Sequence, residues 1–400
     1  MTPRITGNQV TRNLANDIRE QQQAIAEIRE QLSSGKRINR PSDDPAHAAR
    51  LIGLDAAQAQ LTQYSRNASA AESRLTLEEN ALSSATNSLE RVRELALRAA
   101  GGGLSDSERQ TIAGEIRGRL DELYDAANAR DAAGDYLFAG SRADTRPFER
   151  GTPVVFNGNA VGRELPLGSA RSVTSGDSGM EAFVRVPRGN GQFVVEADAA
   201  NTGGAVIATG TVTDASAFRG ADYRIEFTSP TTFDVVDADS GAVVLAGQDY
   251  VDREPIAIEG LTTHVTGEPA AGDVFHIRSG ERQDLFTTVA RLGELLDGDT
   301  ASEADRAKQR QGIDGSINDI ERALNGLNAL RGRVGTRLQI IDSSREENEA
   351  ISLQLARTTS DIEDVDVADA ITRLEDRAFA LEAVQKSWAR VGNLSLFNYL

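Results

Sequence analysis

Residues 75–99 read LTLEENALSSATNSLERVRELALRA. Leu75, Leu82, Leu89 and Ala96 fall seven apart, and Glu78, Ala85, Val92 and Ala99 form a second track three places on. Two tracks spaced this way lie on one face of a helix and make a continuous seam. Both extend backward, through Ala68, Leu61 and Leu54 and through Ala71, Tyr64 and Ala57, and Glu78 alone breaks the second. This predicts a helix over 45–100, roughly 80 Å long at about 1.5 Å per residue.

A second seam late in the chain answers the first. Ile313, Ile320, Leu327, Val334, Ile341, Asn348 and Leu355 are spaced by seven, with Ile317, Leu324 and Leu338 beside them and Arg331 and Arg345 as interruptions. A shorter helix fits between Ser105 and Arg130. Ser105 with Glu108 has the capping-box spacing, Gly101–Gly103 breaks the chain before it, and Ile112, Ile116, Leu120 and Leu123 give it an apolar face. Thr300 with Glu303 offers a similar start for the late helix.

The two ends repeat the pattern on a narrower scale. The N-terminal tracks are Leu14, Gln21, Ile28 and Ile18, Ile25, Leu32. The C-terminal tracks are Val367, Leu374, Leu381, Trp388 and Ile371, Ala378, Gln385. Residues 1–40 carry seven basic and four acidic side chains, whereas 356–400 carry five and eight. Opposite net charge favours pairing of the ends over self-association of either. Helices this poor in apolar surface are marginal alone in water, so both are expected to order on assembly.

Between the helical parts the composition shifts to Gly, Val, Thr and Asp. Runs at Val154–Phe156, Phe183–Val186, Phe193–Val195, Tyr223–Phe227, Thr232–Val236, Ala242–Leu245 and Phe275–Ile277 read as strands punctuated by turn residues. The expected class is α+β: a long antiparallel helical bundle built from both termini, with a small β-rich domain inserted. The expected segments are 1–45, a terminal helix and its connector; 46–145, one half of the helical rod; 146–280, the β domain; 281–357, the other half; and 358–400, a helix that pairs with 1–45.

Composition narrows the function. A formal net charge of −18 and a pI near 4.7 disfavour nucleic acid, whose phosphates need a basic footprint. The absence of cysteine removes disulfides, thiolate ligands and cysteine nucleophiles. No apolar run reaches membrane-spanning length, and Met1–Val10 lacks the apolar core of a cleaved signal. His47, His264 and His276 are the only histidines, and no His-Glu-x-x-His motif joins them. The cluster Asp361, Glu363, Asp364, Asp366 and Asp369 lacks the calcium-loop pattern and reads as helix-start polarity. Neither catalysis nor a cofactor or metal is expected.

Residues 32–45 read LSSGKRINRPSDDP. Gly35 can take the left-handed conformation that ends a helix, and Asp44–Pro45 reads as N-cap and first helical residue of the next. This connector resembles the spoke segment of bacterial flagellins. LERVRELAL at 89–97, SDIEDVDVAD at 360–369 and the closing Leu394–Leu396 are also similar to that family, and together the matches cover both outer regions, roughly 260 residues. The RPSDDP form at 40–45, GDYLFAG at 134–140 with Thr145, Pro147 and Phe148, and the ending at 393–400 resemble the members that join hook to filament more than those that form the filament. A filament-forming flagellin is the same-class alternative, and an adhesin or enzyme carried in the β domain is the other.

The resemblance implies an extracellular structural subunit, exported by the flagellar type III route without signal cleavage. It implies a ring of identical copies, with the first hook-associated protein below and filament flagellin above, and an export chaperone on the C-terminal helix. The assembly surface it implies comprises Leu14, Ile18, Ile25, Ile28 and Leu32; Gly35, Arg37, Asn39, Pro41, Asp43, Asp44 and Pro45; and Ile371, Leu374, Leu381, Trp388, Leu394 and Leu396.

Overall fold

The computed structural model describes the backbone of residues 7–151, 153–298 and 300–397, and the side chains of 12–151, 153–298 and 300–390. The helices are α1 (Gly7–Ser34), α2 (Pro45–Ala100), α3 (Asp106–Ala127), α4 (Leu285–Asp297), α5 (Glu303–Glu363) and α6 (Val367–Phe397). Strands occupy the chain from Phe148 to Gln283, between α3 and α4. Two compact units result. One joins the two ends of the chain, up to Arg66 and from Ser344 onward; the other runs from Asn67 to Ser343. Among the described residues no helix is long and apolar enough to cross a membrane.

In the Asn67–Ser343 unit the heptads do what their spacing requires. Leu75, Leu82, Leu89 and Val92 of α2 are fully buried in one core with Ile313, Ile320, Leu327, Val334 and Ile341 of α5. The chain break at Gly102 and Gly103 is left-handed, with φ of 75° and 76°. The α3 capping box forms in full: the Ser105 hydroxyl accepts from the Glu108 amide, and the Glu108 carboxylate accepts from the Ser105 amide at 2.9 Å. Arg331, an interruption of the α5 seam, pairs with Glu79 of α2 at 2.8 Å.

Helix α4 carries no heptad and lies beyond what spacing alone foretells. Asp284 caps it by accepting from the Thr287 amide at 2.7 Å. Its Phe286 stacks on Tyr124 of α3, with centroids 4.3 Å apart, and meets Phe148 and Phe183 at 5.2 and 5.9 Å. This aromatic cluster ties the segments that follow α3 to the helices. Phe183 is also where the strand reading fails. Met180–Val184 forms one π-helical turn, with Phe183 pointing into the aromatic cluster, and only Val186–Pro187 is extended. A second correction concerns the start of α5. Ser302, rather than Thr300, caps it: the Asp305 amide donates to the Ser302 hydroxyl at 3.0 Å, and the Asp305 carboxylate accepts from the Ser302 amide at 3.2 Å.

The β part has a core of its own. Five antiparallel strands run in the order Val243–Asp249, Thr232–Asp237, Tyr223–Ser229, Val274–Ser279, Phe193–Ala197. Tyr223, Ile225 and Phe227 alternate inward beside Phe275 and Ile277, as period-two spacing demands. Strands Pro255–Ile258, Leu261–Thr266 and Val206–Ile207 form a second sheet whose Ile258, Leu261 and Val265 join the same core. Glu259 and Gly260, both at positive φ, close its tightest hairpin. Val186–Pro187 pairs with Arg282–Gln283 where the chain enters and leaves this β part.

Candidate assembly surface

The unit formed by the chain ends holds the residues expected at an assembly surface. α1 and α6 pair antiparallel: the Arg377 guanidinium donates to the Gln21 amide oxygen at 3.3 Å, and Ile28 packs with Val365 and Ala370. On α1 the inward face is the one its heptads mark. Ile25 and Ile28 are buried, and Leu14, Ile18 and Leu32 are half-buried.

On α6 the inward face is rotated from the sequence tracks. Ala370 is buried and Leu374, Leu381 and Val384 are half-buried along one face, whereas Trp388, at the same spacing, is 37% exposed. Val367 and Ile371 are instead 53% and 45% exposed. The cause lies at the start of the helix. The Asp366 carboxylate accepts from the Ala368 and Asp369 amides at 3.0 and 3.1 Å, and this cap turns Ala370, with Val365, against Ile28. A two-helix pair buries only a narrow stripe, so Ile371 falls outside it. Leu394 and Leu396 lie outside the residues whose side chains are described.

The connector is a hook that clasps the junction of α5 and α6. Gly35, at φ +73°, ends α1. Its carbonyl accepts from the Val365 amide at 3.0 Å, and the Arg37 amide donates to the Glu363 carbonyl at 2.6 Å. The Arg37 guanidinium donates to the Ile362 carbonyl at 2.7 Å, and Lys36 pairs with Glu363 at 2.5 Å. Ile38 is buried with Ile362 and Ala48.

A tight turn then reverses the chain. Pro41 occupies its second position, the Asp43 amide donates to the Arg40 carbonyl at 2.9 Å, and the Asp43 carboxylate accepts from the Asn39 and Arg40 amides at 3.0 and 2.8 Å. Asp44 caps α2 by accepting from the His47 amide at 3.1 Å, with Pro45 as its first residue. That hydrogen bond, and the His47 side chain, hold the Asp44 carboxyl below its ordinary range.

Gly35, Arg37, Asn39, Pro41, Asp43, Asp44 and Pro45 are thus the parts of one clasp. Sequence reasoning left out Ile38, Ile362 and Val365, its apolar floor. Their signal was faint: Ile38 is the one aliphatic side chain between Gly35 and Pro45. Among the described residues Lys36 and Glu363 form an ion pair between the N-terminal clasp and the C-terminal segment, and it is exposed at Lys36, where such a pair is worth little.

Three matches to known families partition the chain. Residues 5–143 match the bacterial flagellin N-terminal helical region, and 317–400 match the bacterial flagellin C-terminal helical region. Residues 196–279 match the D2-like domain of flagellar hook-associated protein 1. Flagellar hook-associated protein 3 of Escherichia coli (strain K12) is 26% identical over 371 residues, 92% of this chain and 90% of that protein. Its counterpart in Salmonella typhimurium is 36% identical over 154 residues, so the chain there spans about half of the relative, 48%, and uses 38% of its own length. The crystal structure of Xanthomonas campestris FlgL is 31% identical, with a TM-score of 0.73 over 77% of this chain and 99% of that one. With both flagellin helical regions in order around a hook-associated insert, and a solved FlgL matched over nearly its whole length, the chain belongs to the bacterial flagellin family, in its hook-associated protein 3 group.

Proposed function

We propose that this protein is the structural subunit seated between hook and filament of the bacterial flagellum, and that it assembles through its paired terminal helices. One observation carries the assembly reading. The helical unit of the chain ends leaves large apolar side chains in water: Phe379 is 75% exposed, Ile52 67%, Leu353 54%, Val367 53% and Ile371 45%. Val367, Ile371 and Phe379 follow one another along α6, and apolar side chains left exposed along one helix fit a surface that another chain covers. The pair α1–α6 has already used Ile25, Ile28 and Leu374 internally, so the outward residues of α6 serve neighbouring copies.

On this reading Ile371 and Trp388 belong to contacts between subunits, and Leu374 and Leu381 to the pair within one. Identical copies form a ring, with the first hook-associated protein below and flagellin above. The D2-like match and the names of the relatives support that placement. A pair held by so narrow a seam gains full order only when neighbours cover it. Before export through the flagellar type III apparatus, a chaperone shields the same C-terminal face. The role is structural and extracellular, without catalysis.

Seeded polymerisation tests the choice of junction over filament. Purified chain added to short flagellin filaments is expected to add a limited number of subunits and stop. Filaments that lengthen in proportion to added protein would identify a filament subunit instead.

A further inference from the structure

Glu78, the one polar residue of its α2 track, is 1% exposed. Its Oε1 accepts from the Asp177 amide at 2.9 Å, while its Oε2 is buried without a hydrogen-bond partner in the protein. Two guanidinium groups reach this spot, and each already holds a carboxylate. Arg337 of α5 grips both oxygens of Asp177 at 2.9 Å. Arg74, one turn before Glu78, binds Asp131 at 2.7 Å and the carbonyls of Tyr136 and Leu137 at 2.8 and 3.3 Å. Nearby along the same segments, Glu181 pairs with Arg333 at 2.6 Å and Glu79 with Arg331 at 2.8 Å. Three carboxylates therefore face two cations in a largely buried site, and Glu78 is the one without a cation of its own. A lone buried carboxylate costs far more than the neutral acid at the same place.

We propose that Glu78 is a proton-operated latch: the segment 175–181 docks on α2 and α5 with Glu78 protonated, and ionisation of Glu78 loosens it. Charge count and burial carry this inference, and it stands whether or not the chain sits at the hook–filament junction. The titration agrees in direction. Burial, and then repulsion from Asp177, push the Glu78 carboxyl from 4.5 up to about 7, against the pull of the Asp177 amide, Arg337 and Arg74. An acid whose pKa is raised by folding takes up a proton as it folds. Its stabilising share is fully present below about 4.5 and is lost as pH rises toward 7.

Amide exchange in the full chain reads the latch directly, because the Asp177 amide is the donor to Glu78. After correction for intrinsic exchange rates, opening at Asp177 should rise at least about tenfold between pH 5 and pH 8, the change that one pKa unit or more of linkage brings. Glu78→Gln fixes the neutral state and should abolish that rise. Burial also raises Asp314 and Asp319, and comparing the two proteins cancels their share. The same pH dependence in wild type and Glu78→Gln overturns the proposal. If Glu78→Gln fails to fold, carboxyl-carbon NMR of the wild type decides. One glutamate titrating near neutrality supports the latch, and all glutamates titrating near 4.5 refute it.

Discussion

Deleting residues 361–400 is expected to leave the Asn67–Ser343 unit folded and to abolish assembly into the flagellum. Every member of the helical core and of the β core lies between Ala68 and Ile341, so neither loses a contact. The unit of the chain ends keeps the part where Gln58 of α2 meets Ser352 of α5 and loses the pairing of α1 and the clasp with the C-terminal segment. Ile362 leaves Ile38 and Ala48, while Val365, Ala370 and Leu374 leave Ile28 and Leu32. The Gly35 carbonyl and the Arg37 amide lose their partners Val365 and Glu363. A solitary α1 with one narrow apolar stripe is marginal in water. Thermal unfolding of the purified truncation should keep the cooperative transition of the larger unit. Complementation of a strain lacking the gene should give no swimming in soft agar. Swimming restored by the truncated chain would defeat the pairing account.

Arg188→Ala should destabilise the Asn67–Ser343 unit by about 3–5 kcal/mol, the usual cost of removing one member of a buried ion pair. Arg188 is the pin that holds the β part to α5. Its guanidinium donates to Asp319 at 3.2 Å, to Glu281 at 2.6 Å and to Glu196 at 2.8 Å, with side-chain exposures of 12% at Arg188 and 6% at Asp319. These carboxylates come from α5, from the return crossing and from the first strand of the large sheet, so one side chain joins three segments.

Without Arg188, Asp319 keeps only the Gly189 amide, at 2.6 Å, beside Glu196 and Glu281. Burial already pushes the Asp319 carboxyl up, and loss of the cation raises it further. The loss should therefore shrink as pH falls and Asp319 takes a proton. The pair Arg188→Met with Asp319→Asn should recover most of the stability, because the amide still accepts from Gly189 and no lone charge remains. Chemical denaturation of the two variants measures both effects. Equal losses in the single and double variants would show that packing, not charge, sets the cost.

The long helices and their termini were legible because their signals are local and repeated. Seven-residue spacing marked α2, α5 and the inward face of α1, and Ser105–Glu108, Gly35 and Asp44–Pro45 marked ends that form as their chemistry requires. What stayed hidden depends on contacts distant in sequence. The strands at Glu164–Pro166, Ser172–Thr174 and Thr211–Val212 are too short to show alternation. Phe183 carries strand composition but is drawn into a π-helical turn by Phe138 and Phe148. The rotation of α6 is set by the Asp366 cap and by Val365 meeting α1, and the periodicity of α6 alone cannot distinguish Ala370 from Ile371. Glu78 stood out as a flaw in its track; only the positions of Asp177 and Arg337 show why a carboxyl belongs there.

The clasp at Gly35–Pro45, the pair α1–α6 and the outward residues of α6 all serve one claim, that this chain is built to occupy a single level of the flagellum between two different neighbours. Immunogold labelling of purified hook–filament preparations, with antibody against residues 196–279, locates it. The expected result is one labelled band at the boundary between hook and filament. Label distributed along the filament would contradict the account.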